Sequence, residues 1–173
     1  MNSPRTSVLI ITILAAAALR LVPHAPNVTP IAALALFGGA QLKDRRLAFG
    51  LPLAAMMLSD LVLGFHSAMW AVYGCFALTV SLGLALRSRR GPGAIVAAAL
   101  ASSVVFFVVT NFAVWAMGGM YAPTTAGLVE CYAAAVPFFH NEVLGDLLYT
   151  AVLFGGFALA EERWPVLARP EAA

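Results

Sequence analysis

The amino-acid sequence predicts an all-α protein: a polytopic membrane protein folded as a six-helix transmembrane bundle. Three observations predict it. The 173 residues are 62% hydrophobic and only 10% charged, whereas soluble domains run at roughly 45–50% apolar and about 25% charged residues. The apolar residues fall into six runs separated by short polar, proline-rich or arginine-rich breaks. The lysines and arginines gather in alternate breaks, as they do in loops that stay on the cytoplasmic side. A chain of this length suits one transmembrane domain covering residues 1–173.

The runs place membrane helices at 7–22, 30–42, 47–64, 69–86, 93–117 and 144–160. The first follows Arg5 and begins "SVLIITILAAAA", which has the look of a secretory signal. Because the apolar run continues through "LRLV" to Val22, an uncleaved first helix is the stronger expectation. The second run is short for a span, covering only about 20 Å at about 1.5 Å per residue. Charge settles its direction. With six crossings and a cytoplasmic N-terminus, Arg5, Lys43, Arg45, Arg46, Arg87, Arg89, Arg90, Arg163 and Arg169 all fall on one side, leaving Arg20 as the sole exception.

The breaks on the opposite, outer side hold the costly polar groups. His24, His66 and His140 lie there, with Glu130, Cys131 and Glu142. Asp60 sits near the outer end of helix three, Asn111 near that of helix five, and Asp146 just inside helix six. Loop one, "PHAPNVTP", carries Asn27 between prolines, and Thr29 followed by Pro30 reads as a helix cap and first helical residue. Loop five, 118–143, is long enough to lay a short helix over the outer surface as a lid. Asn141 or Glu142 reads as the start of helix six, where an acidic group favours the positive helix end.

Several function classes are excluded. No basic tail or basic–aromatic patch addresses nucleic acid, no GxxxxGK[ST] loop holds a nucleotide, and no HExxH or Ser/His/Asp arrangement argues for an enzyme. Cys75 and Cys131 make no disulfide framework, although a bond between the two stays open. Asp60 is the sharpest signal, because an ionisable residue within a span usually faces the bundle interior or a wet cavity. An Arg20–Asp60 ion pair and a ligand contact are equally good accounts of it. The three histidines are either solvated at the interface or converge as metal ligands. Cys75, flanked by Tyr73 and Phe76, is either a small buried apolar residue or a soft sulfur ligand. Ala35 and Gly39, and further on Gly155 and Gly156, allow close helix approach, within the bundle or against another membrane protein.

The segments "PNVTPIAALALFGGA", "PLAAMMLSDLVLGFH", "MWAVYGCFAL", "TNFAVW" and "NEVLGDLLY" together resemble a family of small bacterial six-helix membrane proteins of unknown function. More distantly, the chain is similar in architecture to the S-components of energy-coupling-factor transporters. That resemblance implies cytoplasmic termini, residence in the bacterial inner membrane, and a substrate pocket near the outer face closed by loops one, three and five. It also implies a membrane partner, such as a transporter energising module, besides the lipid bilayer and a small-molecule ligand. The solitary cobalamin transporters of that superfamily use an outer-face cysteine thiolate as a cobalt ligand, with histidine, aspartate and tyrosine nearby. Cys75, His24, Asp60 and Tyr73 occur here in the same order, with a register two residues earlier placing Tyr73 at the cysteine position.

The expected function is therefore uptake of a small micronutrient, such as cobalamin, from the outer face. The expected substrate-binding residues are His24, Asn27, Asp60, His66, Tyr73, Cys75, Asn111, His140 and Asp146, with Cys75 as the metal contact to cobalt. The alternatives are a transition-metal carrier using the histidines and a structural membrane subunit that transports nothing.

Overall fold

The computed structural model describes residues 3–23, 25–65, 67–89 and 91–168. Among them all regular secondary structure is helical. Helix α1, Pro4–Ala18, starts where the Ser3 side chain accepts from the Thr6 amide, with Pro4 at the first position where a missing N–H costs nothing. It runs on as a 3-10 turn, Leu19–Leu21, to Pro23. Helix α2 is Ile31–Gln41 and α3 is Arg45–Leu63. Asp44 caps α3 by accepting from the Arg46 amide at 2.7 Å, and Gly64 ends it at φ 97°, in the left-handed region. Helix α4 is Met69–Ala85, and α5 is Pro92–Met117, again with proline in its first turn.

The last helix departs from the sequence reading. Instead of starting near 144, α6 begins at Thr125 and runs to Thr150, and a π-helical turn at Ala151–Gly155 joins it to α7, Gly156–Arg163. The expected surface lid over 118–143 is therefore a seven-residue turn, 118–124, and the amino half of a helical rod 39 residues long. Thr124, not Asn141 or Glu142, is the cap: its hydroxyl accepts from the Gly127 amide at 3.2 Å. Pro137 lies inside α6 and removes one backbone hydrogen bond. Packing on α5 outweighs that loss. Tyr132 donates to the Val108 carbonyl at 2.6 Å, the Cys131 thiol to the Asn111 carbonyl at 3.5 Å, and the Phe107 and Phe139 rings stack with centroids 4.6 Å apart. Thr124→Ala is expected to cost about 1 kcal/mol, appearing as faster amide exchange over the first turn of α6 and little change elsewhere.

Four helical segments, Pro4–Leu21, Arg45–Leu63, Pro92–Met117 and Thr125–Arg163, are long and apolar enough to cross a membrane. Their outward faces are apolar too. Leu100, Val104, Val108 and Phe112 recur one turn apart on α5, and Leu144, Leu148 and Val152 along α6 and the π-helical turn that follows it, all substantially exposed. Continuous apolar surface of this kind is foreign to a soluble monomer and ordinary against lipid.

Helix α2 is different. Its 11 residues reach only about 17 Å, well short of the roughly 30 Å hydrocarbon core. It contacts α1, α3, α4, α5 and α6, and Ala33 to Ala40 are all buried. This explains why α2 has no polar face: it is the core around which the longer helices stand. The Phe37 ring meets Phe154 and Phe157 edge-on at 5.2 and 5.5 Å. At the crossing with α4, Gly39 lies against Gly83 so tightly that a Cβ on either would stand 2.3 Å from a backbone carbonyl of the other helix. Gly155 and Gly156, by contrast, face open space and join no helix interface in the bundle.

The end of the bundle that carries the basic loops is sealed by arginines. Arg5 binds Glu161, the Leu167 carbonyl and Gln41, and lies 5.0 Å above the Phe157 ring. Arg87 closes the carboxyl end of α2 through the carbonyls of Gly39 (2.9 Å), Leu42 and Lys43 (3.3 Å). These contacts bring the start of α1, the end of α2, the end of α4 and the end of α7 to one side.

Candidate functional site

Because α2 is short, its amino end stops inside the ring of longer helices at the opposite end of the bundle. The space above it is a cavity of about 350 Å³, floored by Thr29, Ile31 and Ala32 and walled by Met56 and Leu63 of α3, Val72 and Phe76 of α4 and Phe106 of α5. Arg20, Asn27, Glu142 and Asp146 supply its polar lining. Thr29 does not cap α2 as its sequence position suggested. Pro30 takes the cap position with no side-chain bond, and the first intrahelical bond runs from the Leu34 amide to the Pro30 carbonyl at 2.8 Å. The first amides of α2 therefore open toward the cavity floor.

Loop one is held against α6. Asn27 adopts φ 63°, a left-handed conformation that asparagine tolerates better than most residues. Asn141 donates to the Pro26 carbonyl at 3.1 Å, and Val28 sits so close to Gly145 that a Cβ there would lie 3.1 Å from the Val28 Cα. The tight turn of loop one thus delivers Asn27 and Thr29 to the cavity.

At one wall Arg20 donates to Asp60 at 2.7 Å and to Ser59, whose hydroxyl in turn donates to the Met56 carbonyl at 2.8 Å. Tyr73 donates to the other Asp60 oxygen at 2.7 Å. Asp60 is thus fully engaged by α1 and α4 and does not itself line the cavity; Arg20, held by it, does. At the other wall stand Glu142 and Asp146, one turn apart on α6 and exposed by only 7% and 4%. Asp146 accepts from the Ser103 hydroxyl at 2.7 Å and adjoins Ala32 and Ala33 in the first turn of α2. Glu142 has no hydrogen-bond or ion-pair partner among the described residues, and it opens onto the cavity.

A second chamber of about 260 Å³ shares Asn27, Val72, Phe106 and Glu142 with the first and extends between α5 and α6 to Thr110, Asn111 and Phe139. Glu142 therefore stands where the two chambers meet. Asn111 donates to the Phe107 carbonyl of its own helix at 2.8 Å and lines this chamber only.

Of the residues singled out in the sequence, Asn27 and Asp146 line the main cavity, Asn111 lines the second chamber, and Asp60 and Tyr73 hold Arg20 in place from behind. His24 and His66 lie outside the described residues. His140 is exposed on α6 and lines neither chamber. Cys75 is buried and lines neither chamber. The helical phase explains this. Val72 and Phe76 take the cavity face of α4, whereas Ala71 and Thr79, a turn either side of Cys75, meet α5 at Ala113 and Ser102. Both cysteines are free thiols. No cluster of three or more metal-ligating side chains occurs among the described residues.

Sequence reasoning missed Glu142 as a lining residue because it was read as the first residue of a helix. The signal was present: Glu142 and Asp146, spaced i and i+4, fall on one face of any helix that starts earlier. No curated protein and no solved structure matches the chain. The sequence model of one family matches residues 1–167, nearly the whole chain, and the protein belongs to that family of unknown function, DUF6580.

Proposed function

We propose that the protein is a membrane-embedded solute receptor that captures a small micronutrient-sized molecule in the cavity at the amino end of α2. In this reading the basic loops and both termini face the cytoplasm, the cavity faces outward across the bacterial inner membrane, and a membrane partner supplies energy, as for the S-components. The observation that carries it is Glu142: a carboxylate buried in the wall of an accessible cavity and left without a partner is costly unless something enters to meet it. A purely structural subunit has no use for such an arrangement. A volume of about 350 Å³ sits at the small end of ligand pockets, which run to about 1,000 Å³. A ligand held wholly within it is smaller than a corrinoid such as cobalamin, and Cys75 does not line it. The metal-carrier alternative gains nothing from His140, which is exposed and outside the cavity.

The test is retention of a ligand. Small molecules extracted from gently purified protein are compared by mass spectrometry with those from a Val72→Trp variant, whose indole fills the cavity. A compound enriched in the wild type and lost from the folded variant is the expected result. Equal small-molecule profiles, together with a stoichiometric protein partner in both preparations, would favour the structural-subunit reading instead.

A further inference from the structure

We propose that the cavity selects an organic cation: a protonated amine or quaternary ammonium group carried on a small apolar body. This rests on the reading of the cavity as a solute site and names the chemistry of the solute. Among the described residues, one cationic side chain, Arg20, and three carboxylates, Asp60, Glu142 and Asp146, stand around the cavity. Arg20 is consumed by Asp60, which Tyr73 also binds, so that wall presents a compensated pair. Asp146 has the Ser103 hydroxyl and the amino end of α2 beside it. Glu142 alone has no partner among the described residues, although it is more than nine-tenths buried and lines both chambers.

The remaining lining sets the rest of the ligand. Phe76 and Phe106, with ring centroids 5.5 Å apart, both line the cavity, so a positive group bound there has aromatic rings beside it. Ile31, Met56, Leu63 and Val72 complete an apolar wall. A bare inorganic ion would find Glu142 and Asp146 together on one wall, with only the neutral oxygens of Asn27 and Thr29 besides, and no cluster of three or more metal-ligating side chains among the described residues. An ammonium needs far fewer partners, and its carbon skeleton gains from the apolar wall. An anionic ligand would meet Glu142 unscreened and an arginine already engaged, leaving only the amino end of α2, which Asp146 already adjoins, to attract it.

The experiment is titration calorimetry on the full chain in nanodiscs of choline-free lipid, with charge as the variable. Phenethylamine and its neutral isostere 2-phenylethanol form one pair, choline and 3,3-dimethylbutanol a second, and 3-phenylpropionate supplies the anion. The cations are expected to bind at least tenfold more tightly than their neutral isosteres, and the anion weakest. Glu142→Gln is expected to lose tenfold or more of the cation affinity, while Glu142→Asp, which keeps the charge, retains most of it; circular dichroism and size exclusion establish that each variant is folded. Failure of both cations to bind overturns the inference. So does equal binding of a neutral isostere, preference for the anion, or an unaffected Glu142→Gln protein, and a neutral or anionic molecule retained by the wild type would then leave the solute-site reading intact. Cation binding that survives Val72→Trp places the site elsewhere and overturns both.

Discussion

Replacing Asp60 by alanine is expected to destabilise the protein by about 3–5 kcal/mol, the usual cost of removing one partner of a buried ion pair. Asp60 is 3% exposed and the Arg20 side chain 18%, so the guanidinium left behind loses its carboxylate and has only the cavity side open to water. It would keep Ser59 and the Met56 carbonyl at 3.5 Å, both neutral acceptors. Two further variants separate charge from packing. Tyr73→Phe removes one hydrogen bond to the carboxylate and is expected to cost only about 1 kcal/mol. The double replacement Arg20→Met with Asp60→Leu removes both charges together and is expected to recover most of the loss, because an apolar pair needs no compensation. Denaturation midpoints in mild detergent measure all three. An Asp60→Ala protein as stable as the wild type would show that the ion pair does not hold α1 to α3.

Gly83→Val is expected to prevent the bundle from assembling, and Gly83→Ala to cost at least the 1–3 kcal/mol typical of overpacking. A Cβ at position 83 would lie 2.3 Å from the Leu36 carbonyl oxygen, and one at Gly39 would lie 2.3 Å from that of Val80. Both obstacles are backbone, so relief requires α2 and α4 to move apart. Because α2 also touches α1, α3, α5 and α6, that separation propagates to every other interface of the core. Gly74→Ala is the control, since a Cβ at that position meets nothing within 4 Å. Its expected effect is neutral or slightly stabilising, as alanine is the better helix former. Yield of monodisperse protein and the thermal midpoint distinguish the outcomes. Comparable behaviour of the Gly83 and Gly74 variants would mean that the close crossing of α2 and α4 does not control the fold.

How far the site was readable follows from the kind of signal each residue gives. Asp60 and Arg20 stand out as charges inside apolar runs, and their pairing was one of two open accounts. Glu142 was visible as a residue but not as a cavity wall, because its role depends on where α6 begins. The polar "HNE" stretch reads as the start of a helix, at Asn141 or Glu142. The helix instead continues through it, since contacts of Cys131, Tyr132 and Phe139 with α5 outweigh one lost backbone bond. Cys75 was open between a buried apolar residue and the ligand role that the resemblance implied; it is buried and lines neither chamber, because Val72 and Phe76 take the cavity face of α4.

By itself, the sequence determined that the chain is helical, apolar enough for a membrane, and polarised, with nine of its ten cations at one end and the carboxylates set among apolar residues, Asp60 and Asp146, toward the other. Those properties depend on composition and local spacing, which transfer free energies and hydrogen-bonding needs convert directly into helices and loops. Only the tertiary structure decided that α2 is a buried central peg, that its short length leaves a cavity, and that Glu142 rather than Cys75 faces it. Those outcomes depend on helix lengths relative to one another and on rotational phase. Both are settled by side chains far apart in the chain, such as Gly39 against Gly83 and Val28 against Gly145.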